Sequence, residues 1–344
     1  MRVPRRLVAS VVSLAVSFAV GSPAGATNVP GPLAAFQTQL SALSMRAPGH
    51  VGIAVQDVLT GMTTGFNAGA EMPAASTIKI PVMVEVFRQL GTGKFALYTR
   101  VKLRRSDKDS GSGDLYRGRV GSSYPVARLL ELMIGVSDNT ATNMLIRLVG
   151  RTHINQEMEE LGLTHTRLTD FIRSEGPHIR WALRSSPADM AHLLRKMARK
   201  QLIDEWSSGE MLTILRGQQH NSLLPEPLPE GTDIAHKTGT LHDTLNDVGI
   251  VFEGSDPYVI AVMTTDLRTL SSGRRFIRGV SRLAYDALGK FATWRGVNDF
   301  NPDAEPTLSA PTDAAPPTAD QQMWTPQNVP APVAAPATTP TPAP

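Results

Sequence analysis

The sequence predicts an α/β fold of the α+β type, in which an antiparallel sheet flanked by terminal helices carries an all-helical lobe. Two observations support this prediction. Strand-like segments occur near both ends of the chain, at residues 51–55, 63–67, 233–236, 246–252 and 258–264. Between them, residues 76–222 show apolar side chains mainly at three- and four-residue steps, the spacing of one helix face. Strands from both ends should form one sheet, whose apolar face needs helices to cover it.

The individual elements follow from local patterns. Val51 to Val55 reads as a strand, and Thr60-Gly61 turns the chain back into its hairpin partner. A second turn, Gly254-Ser255-Asp256-Pro257, separates the last two strands. Helices are predicted at residues 32–45, 80–90, 126–134, 140–148, 154–161, 187–197 and 272–291.

The first residues are typical of a secretory signal peptide. Three arginines precede an apolar run at residues 7–20, and Ala24-Gly25-Ala26 offers small side chains for cleavage. The run is too short and too rich in small residues for a comfortable membrane span. We therefore expect cleavage after Ala26 and a mature protein without a transmembrane span, exported to the periplasm or to the extracellular or cell-wall space.

The remaining chain is expected to form one folded domain with a tail. The domain covers residues 27–300, with the sheet lobe at 33–68 and 230–292 and the helical lobe at 69–229. The tail, residues 301–344, is rich in Pro, Ala and Thr and cannot bury enough apolar surface to offset its ordering entropy, so we expect disorder. It is either a spacer or a solvated extension.

Composition excludes several classes of function. Removing the three leader arginines leaves 31 basic residues against 31 acidic ones, and this neutral balance does not favour nucleic-acid binding. The chain has no Cys, which excludes disulfides and lipid attachment through Cys. Its eight His show no paired-ligand spacing, so neither a metal site nor a cofactor is expected. We expect a monomer.

The segment Ser76-Thr77-Ile78-Lys79 is the first candidate for chemistry. Ser76 would lie at a helix start beside free backbone N–H groups, and Lys79 would share its helix face. A lysine made neutral by burial can take the proton of the serine, which predicts Ser76 as nucleophile and Lys79 as general base. The alternative is a capping serine and a surface lysine.

The segment Ser137-Asp138-Asn139 is the second candidate. It is either a capped turn between two helices or part of a catalytic site. In a catalytic site, Ser137 would pass a proton to the leaving nitrogen and Asn139 would bind the substrate amide.

The segment Lys237-Thr238-Gly239-Thr240 is the third. Gly239 would let a ligand approach the backbone, while Lys237, Thr238 and Thr240 would bind its carboxylate. The backbone N–H groups of Ser76 and Thr240 could form an oxyanion hole. The alternative is a strand that ends at a glycine beside an exposed lysine.

In this order and spacing, the three motifs resemble those of the penicillin-recognising serine enzymes, specifically the class A β-lactamase-like family near its D-alanyl peptidase branch. The resemblance covers roughly residues 33–292. It implies a β-lactamase/transpeptidase-like fold and a cofactor-free serine hydrolase that acts on amide bonds. The implied partner is a β-lactam or a peptidoglycan stem peptide.

One departure from the family pattern concerns release of the acyl group. Class A β-lactamases carry a water-activating glutamate four residues after the leucine of a Thr-Arg-Leu element. In this chain Leu168 closes that element and Ile172 holds the position. Glu175 is the nearest glutamate and could substitute only if the loop takes a different course. The chemistry of Ser76 therefore predicts acylation by a β-lactam with slow deacylation. The alternatives are a D-alanyl-D-alanine carboxypeptidase or transpeptidase, and a non-catalytic cell-wall-binding module.

A further segment, Ser110-Gly111-Ser112-Gly113, precedes the second motif. It resembles a Gly-Ser-Gly stretch of several class A-like enzymes. The alternative is a plain flexible loop.

Overall fold

The computed structural model describes residues 31–176, 180–254 and 256–297. The expected signal peptide, the expected tail and Ser255 of the expected turn lie outside these residues. The structural statements below refer to the described part of the chain.

A five-stranded antiparallel sheet forms one lobe, with strand order β2-β1-β10-β9-β8. A three-stranded sheet, β3-β7-β6, and a two-stranded one, β4-β5, are smaller. The strands are β1 (His50–Asp57), β2 (Thr63–Phe66), β3 (Met72–Pro73), β4 (Arg100–Lys102), β5 (Ser123–Pro125), β6 (Arg167–Leu168), β7 (Leu183–Ser185), β8 (Asp233–Thr240), β9 (Leu245–Phe252) and β10 (Tyr258–Thr265).

Helices cover the large sheet and form the second lobe. They are α1 (Gly31–Ser44), α2 (Lys79–Gly91), α3 (Val126–Gly135), α4 (Asn139–Val149), α5 (Arg151–Glu160), α6 (Pro187–Ala198), α7 (Glu205–Arg216) and α8 (Leu270–Val297). The predicted fold class is confirmed, as are the seven predicted helices, which agree within about three residues at each end except that α8 continues past the predicted residue 291 to Val297. Within the described ranges, no helix combines the length and apolar character that crossing a membrane requires.

Two hydrophobic cores lie on the two faces of the large sheet. Because successive strand residues point to opposite faces, Ile53 joins the core formed with α1 and α8, whereas Ala54 joins the other core. That second core continues through α6 into the helical lobe. The sheet is therefore covered on both faces, and β10 has all eight residues buried.

The helix α2 lies at the centre of the helical lobe. It contacts α3, α4, α5 and α7, and ten of its thirteen residues are buried. A helix that is buried nearly all round holds its first residue, Lys79, in a fixed place inside the protein.

Two parts of the fold were not predicted. The helix α7 has Ser207, Ser208 and Gly209 in its first half, and these residues give no apolar spacing, although Asp204 caps the start of the helix by accepting a hydrogen bond from the Ser207 N–H. The five strands β3 to β7 are two or three residues long. Such short strands have no period to detect.

Replacing Phe36 of α1 by Ala tests the core beneath α1 and α8. Phe36 is 1% exposed, and truncating a buried Phe removes apolar burial and leaves a cavity. We expect the free energy of unfolding, measured by urea denaturation, to fall by about 3–5 kcal/mol. Met45→Ala is the control, because Met45 is 82% exposed and should change the value by about 0.5 kcal/mol or less. Equal effects of the two substitutions would contradict the packing described.

Candidate active site

A cleft of about 540 Å³ brings the three sequence motifs together. Its lining includes Ser76, Ser137, Asn139, Thr238 and Thr240. The two motif lysines, Lys79 and Lys237, have no exposed surface. A cleft of this size suits a small-molecule or peptide ligand.

Ser76 lies in a short 3₁₀ turn, Ala75–Ile78, between β3 and α2. The Ala75 backbone has φ 48°, the left-handed region, which costs roughly 1–3 kcal/mol for a residue with a side chain. Asn246 of β9 holds this turn, because its Nδ2 donates to Pro73 O at 2.8 Å and to Ala74 O at 3.1 Å. Ser76 does not cap α2, whose N-cap position is Ile78. The capping alternative is therefore wrong.

Lys79 is enclosed by oxygen atoms from the second motif. Its Nζ lies 2.6 Å from Ser137 O, 3.0 Å from Ser137 Oγ and 2.8 Å from Asn139 Oδ1. A protonated lysine can donate to all three oxygens. A neutral lysine can donate to two of these oxygens and accept a hydrogen bond from the Ser137 hydroxyl. The geometry therefore suits both protonation states of Lys79. The surface-lysine alternative is wrong.

The pKa of Lys79 lies well below its usual value. Burial is the largest cause, because it disfavours the charged form, and the positive charge of Lys237 acts in the same direction. The carboxylates of Asp138 and Asp109 act against this shift. A lysine with a lowered pKa is more often neutral near pH 7, and only the neutral amine can act as a base.

The second motif is a turn between α3 and α4. Asp138 caps α4, since its Oδ1 accepts from Ala141 N at 2.8 Å, and its Oδ2 accepts from Leu115 N at 2.8 Å. Ser137 has φ 58°, again the left-handed region. The capped-turn interpretation and the site interpretation are therefore both compatible with the structure: Asp138 holds the turn, and its neighbours Ser137 and Asn139 contact Lys79.

The third motif lies within β8, directly beside the Ser76 turn. A Cβ placed on Gly239 would lie 2.9 Å from Ala74 O and 3.1 Å from Ser76 N, so only glycine allows this approach without a shift. Lys237 is buried, and its Nζ donates to Thr238 O at 3.0 Å. The exposed-lysine alternative is wrong. Burial lowers the pKa of Lys237 to about 7, although the charge of Asp247 opposes the shift.

The loop after β6 places Ile172, and not a glutamate, at the cleft. Asn143 of α4 holds Ile172 from both sides: Ile172 N donates to Asn143 Oδ1 at 2.8 Å, and Asn143 Nδ2 donates to Ile172 O at 3.0 Å. Ile172 is buried and lines the cleft. Glu175 is exposed, and the structure does not bring it to the lining. Among the described residues that line the cleft, none is an Asp or a Glu.

Sequence reasoning missed two features of the site. Asp109, just before the Gly-Ser-Gly stretch, hydrogen-bonds to Asn139; it belongs to no motif, and only its place beside a glycine-rich segment could have indicated it. His220, His242 and Arg274 line the cleft from three separate segments. No sequence spacing relates such residues. Over the described ranges, no cluster of His, Asp or Glu could hold a metal ion.

Fold and site together define a serine hydrolase that acts on amide bonds. The chain belongs to the Beta-lactamase enzyme family, whose profile matches residues 35–288. It is 26% identical over 249 residues to β-lactamase CTX-M-8 of Citrobacter amalonaticus, covering 70% of this chain and 84% of that protein.

Two solved structures are similar to the chain. The structure of PBP-A has 33% sequence identity and a TM-score of 0.70, covering 74% of this chain and 96% of that one. A PBP-A variant with a leucine-to-glutamate substitution has 32% identity and a TM-score of 0.70, covering 75% and 97%. That variant was solved as an acyl-enzyme complex with penicillin G. The chain therefore resembles both a β-lactamase and PBP-A.

Proposed function

We propose that this protein forms an acyl-enzyme with β-lactams at Ser76 and releases the product slowly. The observation that carries the proposal is a cleft that is lined by Ser76, three residues before the buried Lys79, and that has no carboxylate among its described lining residues. Such a cleft can attack an amide but lacks an evident base to activate water.

In the proposed acylation, the Ser76 hydroxyl attacks the lactam carbonyl carbon and its proton passes to neutral Lys79. The C–N bond then breaks, and Ser137 donates its hydroxyl proton to the leaving nitrogen. Ser137 is restored by a proton from Lys79, whose Nζ lies 3.0 Å from Ser137 Oγ. The amine is neutral again at the end, so no proton is gained or lost by the site.

The third motif supplies the binding groups in this proposal. Lys237, Thr238 and Thr240 bind the substrate carboxylate, and Asn139 binds the substrate amide. The N–H groups of Ser76 and Thr240 face the carbonyl oxygen as its negative charge develops. Gly239 allows this because it brings β8 against the Ser76 turn. One such donor typically contributes about 3–4 kcal/mol to lowering the barrier.

A second candidate is a D-alanyl-D-alanine carboxypeptidase or transpeptidase that acts on peptidoglycan. Ile172 at the cleft and the similarity to PBP-A favour it, because an acyl-enzyme without a water-activating base can persist until another acceptor arrives. Such a substrate lies outside the cytoplasm, which agrees with the signal peptide that the sequence predicts.

Benzylpenicillin labelling tests the proposed function. We expect the protein to gain the mass of one intact penicillin on Ser76, and the adduct to persist over many minutes in intact-mass spectra. Ser76→Ala should remain unlabelled. An acyl-D-Ala-D-Ala peptide is offered in parallel, and release of free D-Ala would identify the peptidase.

Many turnovers of penicillin with no accumulated adduct would rule out slow release and direct attention to Glu175. Absence of both labelling and turnover would favour a wall-binding module. In that case Ser76→Ala should still bind cell wall.

Replacing Ile172 by Glu tests why release is slow. A carboxylate at this position should activate water, and a positioned general base typically contributes about 10²–10⁴-fold. We expect the labelled Ser76 species to decay faster by up to this factor in the same mass-spectrometric assay. Ile172→Gln is the matched control, because a glutamine side chain has nearly the same shape as that of glutamate but cannot act as a base. Equal decay in the two variants would contradict the role given to this position.

The two lysines predict a pH dependence of acylation. Acylation should accelerate as pH rises through the lowered pKa of Lys79, because only the neutral amine accepts the serine proton. It should slow again above pH about 7, where Lys237 loses the charge that binds the carboxylate. The second-order rate constant for acylation by benzylpenicillin, measured as a function of pH, checks both parts of the profile: the acid limb, which reports Lys79, and the alkaline limb, which reports Lys237. The methyl ester of benzylpenicillin lacks the carboxylate and should lose the alkaline limb; an unchanged limb would contradict the role of Lys237.

A further inference from the structure

The carboxylate of Asp109 joins three segments around the cleft. Its Oδ1 accepts from Asn139 Nδ2 at 2.8 Å and from Gly111 N at 3.0 Å. Its Oδ2 accepts from Ser174 N at 2.7 Å and from Ser174 Oγ at 3.1 Å. The side chain is buried, with the residue 9% exposed. One carboxylate thus connects the second motif with the loop that carries Ile172.

We propose that Asp109 is a positioning residue for the base Lys79, which it controls by orienting the side-chain amide of Asn139. The inference rests on the proposed function, because it concerns the acylation of Ser76. Asp109 itself does not line the cleft, so it does not take the place of the missing water-activating base.

The hydrogen-bonding capacity of the two side chains fixes the orientation of the Asn139 amide. An ionised carboxylate can only accept, so the Asn139 amide must present its Nδ2 to Asp109. This leaves Asn139 Oδ1 facing Lys79 Nζ, at 2.8 Å. If the amide were flipped, its oxygen would face the carboxylate and its NH₂ group would face the lysine. The contact with the carboxylate would then be repulsive in either protonation state of Lys79, and the contact with a protonated Lys79 would be repulsive as well, so the charge of Asp109 selects the orientation.

The negative charge of Asp109 also acts on Lys79 electrostatically. Burial opposes ionisation of Asp109, but the hydrogen bonds from Asn139, Gly111 and Ser174 prevail and hold its pKa below the usual value. The charges that act on Lys79 are the positive Lys237 of β8, and the negative Asp138 and Asp109. Asp109 therefore counteracts the effect of burial and keeps Lys79 a stronger base than burial alone would allow.

The glycine-rich segment after Asp109 is tightly packed. A Cβ on Gly111 would overlap Ser174, and a Cβ on Gly113 would overlap the carboxylate of Asp138. Gly113 also has φ 77°, which favours glycine. In addition, Asn139 N donates to Ser112 O at 3.0 Å. The segment is thus packed between the second motif and the Ile172 loop, and it is not a plain flexible loop.

Asp109→Asn in the full-length protein tests the inference. The variant removes the charge and can donate to Asn139 Oδ1, so the amide is free to flip. We expect acylation by benzylpenicillin to slow by about 10- to 100-fold, the scale on which a misplaced group slows a reaction. Removing the negative charge also lowers the pKa of Lys79, so the acid limb of the pH profile should move to lower pH.

Asp107→Asn is the matched control. Asp107 is a buried carboxylate in the same segment, but it accepts hydrogen bonds from Arg147 and from the Arg104 N–H and not from Asn139. The variant should lower the midpoint of thermal unfolding while the acid limb stays in place. If Asp109→Asn leaves both the rate and the acid limb unchanged, or if Asp107→Asn shifts the limb equally, the inference is overturned.

A second variant keeps the test decisive if Asp109→Asn does not fold. Ser174→Ala removes the hydroxyl hydrogen bond to the Asp109 carboxylate, and neither Asn139 nor Lys79 is a hydrogen-bond partner of Ser174. The variant should slow acylation by about two- to fivefold, since a hydrogen bond to a charged group is a sizeable interaction; acylation at the wild-type rate overturns the inference. Because Ser174 also lines the cleft, the rate is compared with that of the methyl ester of benzylpenicillin and with the position of the acid limb, and a slower rate with the acid limb in place overturns the inference. If the wild-type protein is not labelled at all, the proposed function fails and this inference fails with it. Labelling with unaffected variants overturns this inference alone.

Discussion

The burial of Lys79 is the constraint on which the rest of the site depends. An ammonium group removed from water is costly unless oxygen atoms replace its hydration shell. Here Ser137 and Asn139 supply three oxygens within 3.0 Å of Nζ. That enclosure requires α2 to be buried nearly all round and the turn before α4 to adopt the left-handed backbone of Ser137. The strain is sustained by Asp138, which caps α4 and binds the neighbouring segment.

A second buried lysine gives the cleft its electrostatic character. Lys237 disfavours the charged form of Lys79, and the buried carboxylates of Asp138 and Asp109 oppose this effect only from outside the described cleft lining. An anionic substrate in the cleft would add negative charge beside the same pair of lysines, so binding and base strength are coupled. Such a cleft is suited to the attack on an amide that bears a carboxylate. It is less suited to hydrolysing the ester that results, because Ile172 has no proton acceptor.

Sequence patterns predicted most of the long elements and the members of the site, for identifiable physical reasons. The period of apolar residues in α8 records which face of the helix is buried, and the apolar run of β1 reflects a strand that is covered on both faces. Motif residues such as Ser76 and Lys237 were predicted from their chemistry, but each had an equally simple structural alternative. For the two lysines, burial excludes the surface alternative, because a lysine that packs inside the protein cannot be a surface group. The catalytic roles stay predictions. For Glu175, the predicted substitute base, the structure shows an exposed side chain away from the cleft lining.

The sequence by itself determined the fold class, the order of the three motifs and the isoleucine at position 172. These properties depend on residue type and local spacing, and both can be read directly from the linear sequence. Only the tertiary structure decided the burial that lowers the pKa of Lys79 and the close approach of Gly239 to Ser76. It also decided the hydrogen bonds that join Asp109 to Asn139 and Ser174. Each of these brings together residues that are distant in sequence. Their contacts depend on how α2, β8 and the loops pack, and no local pattern records that packing.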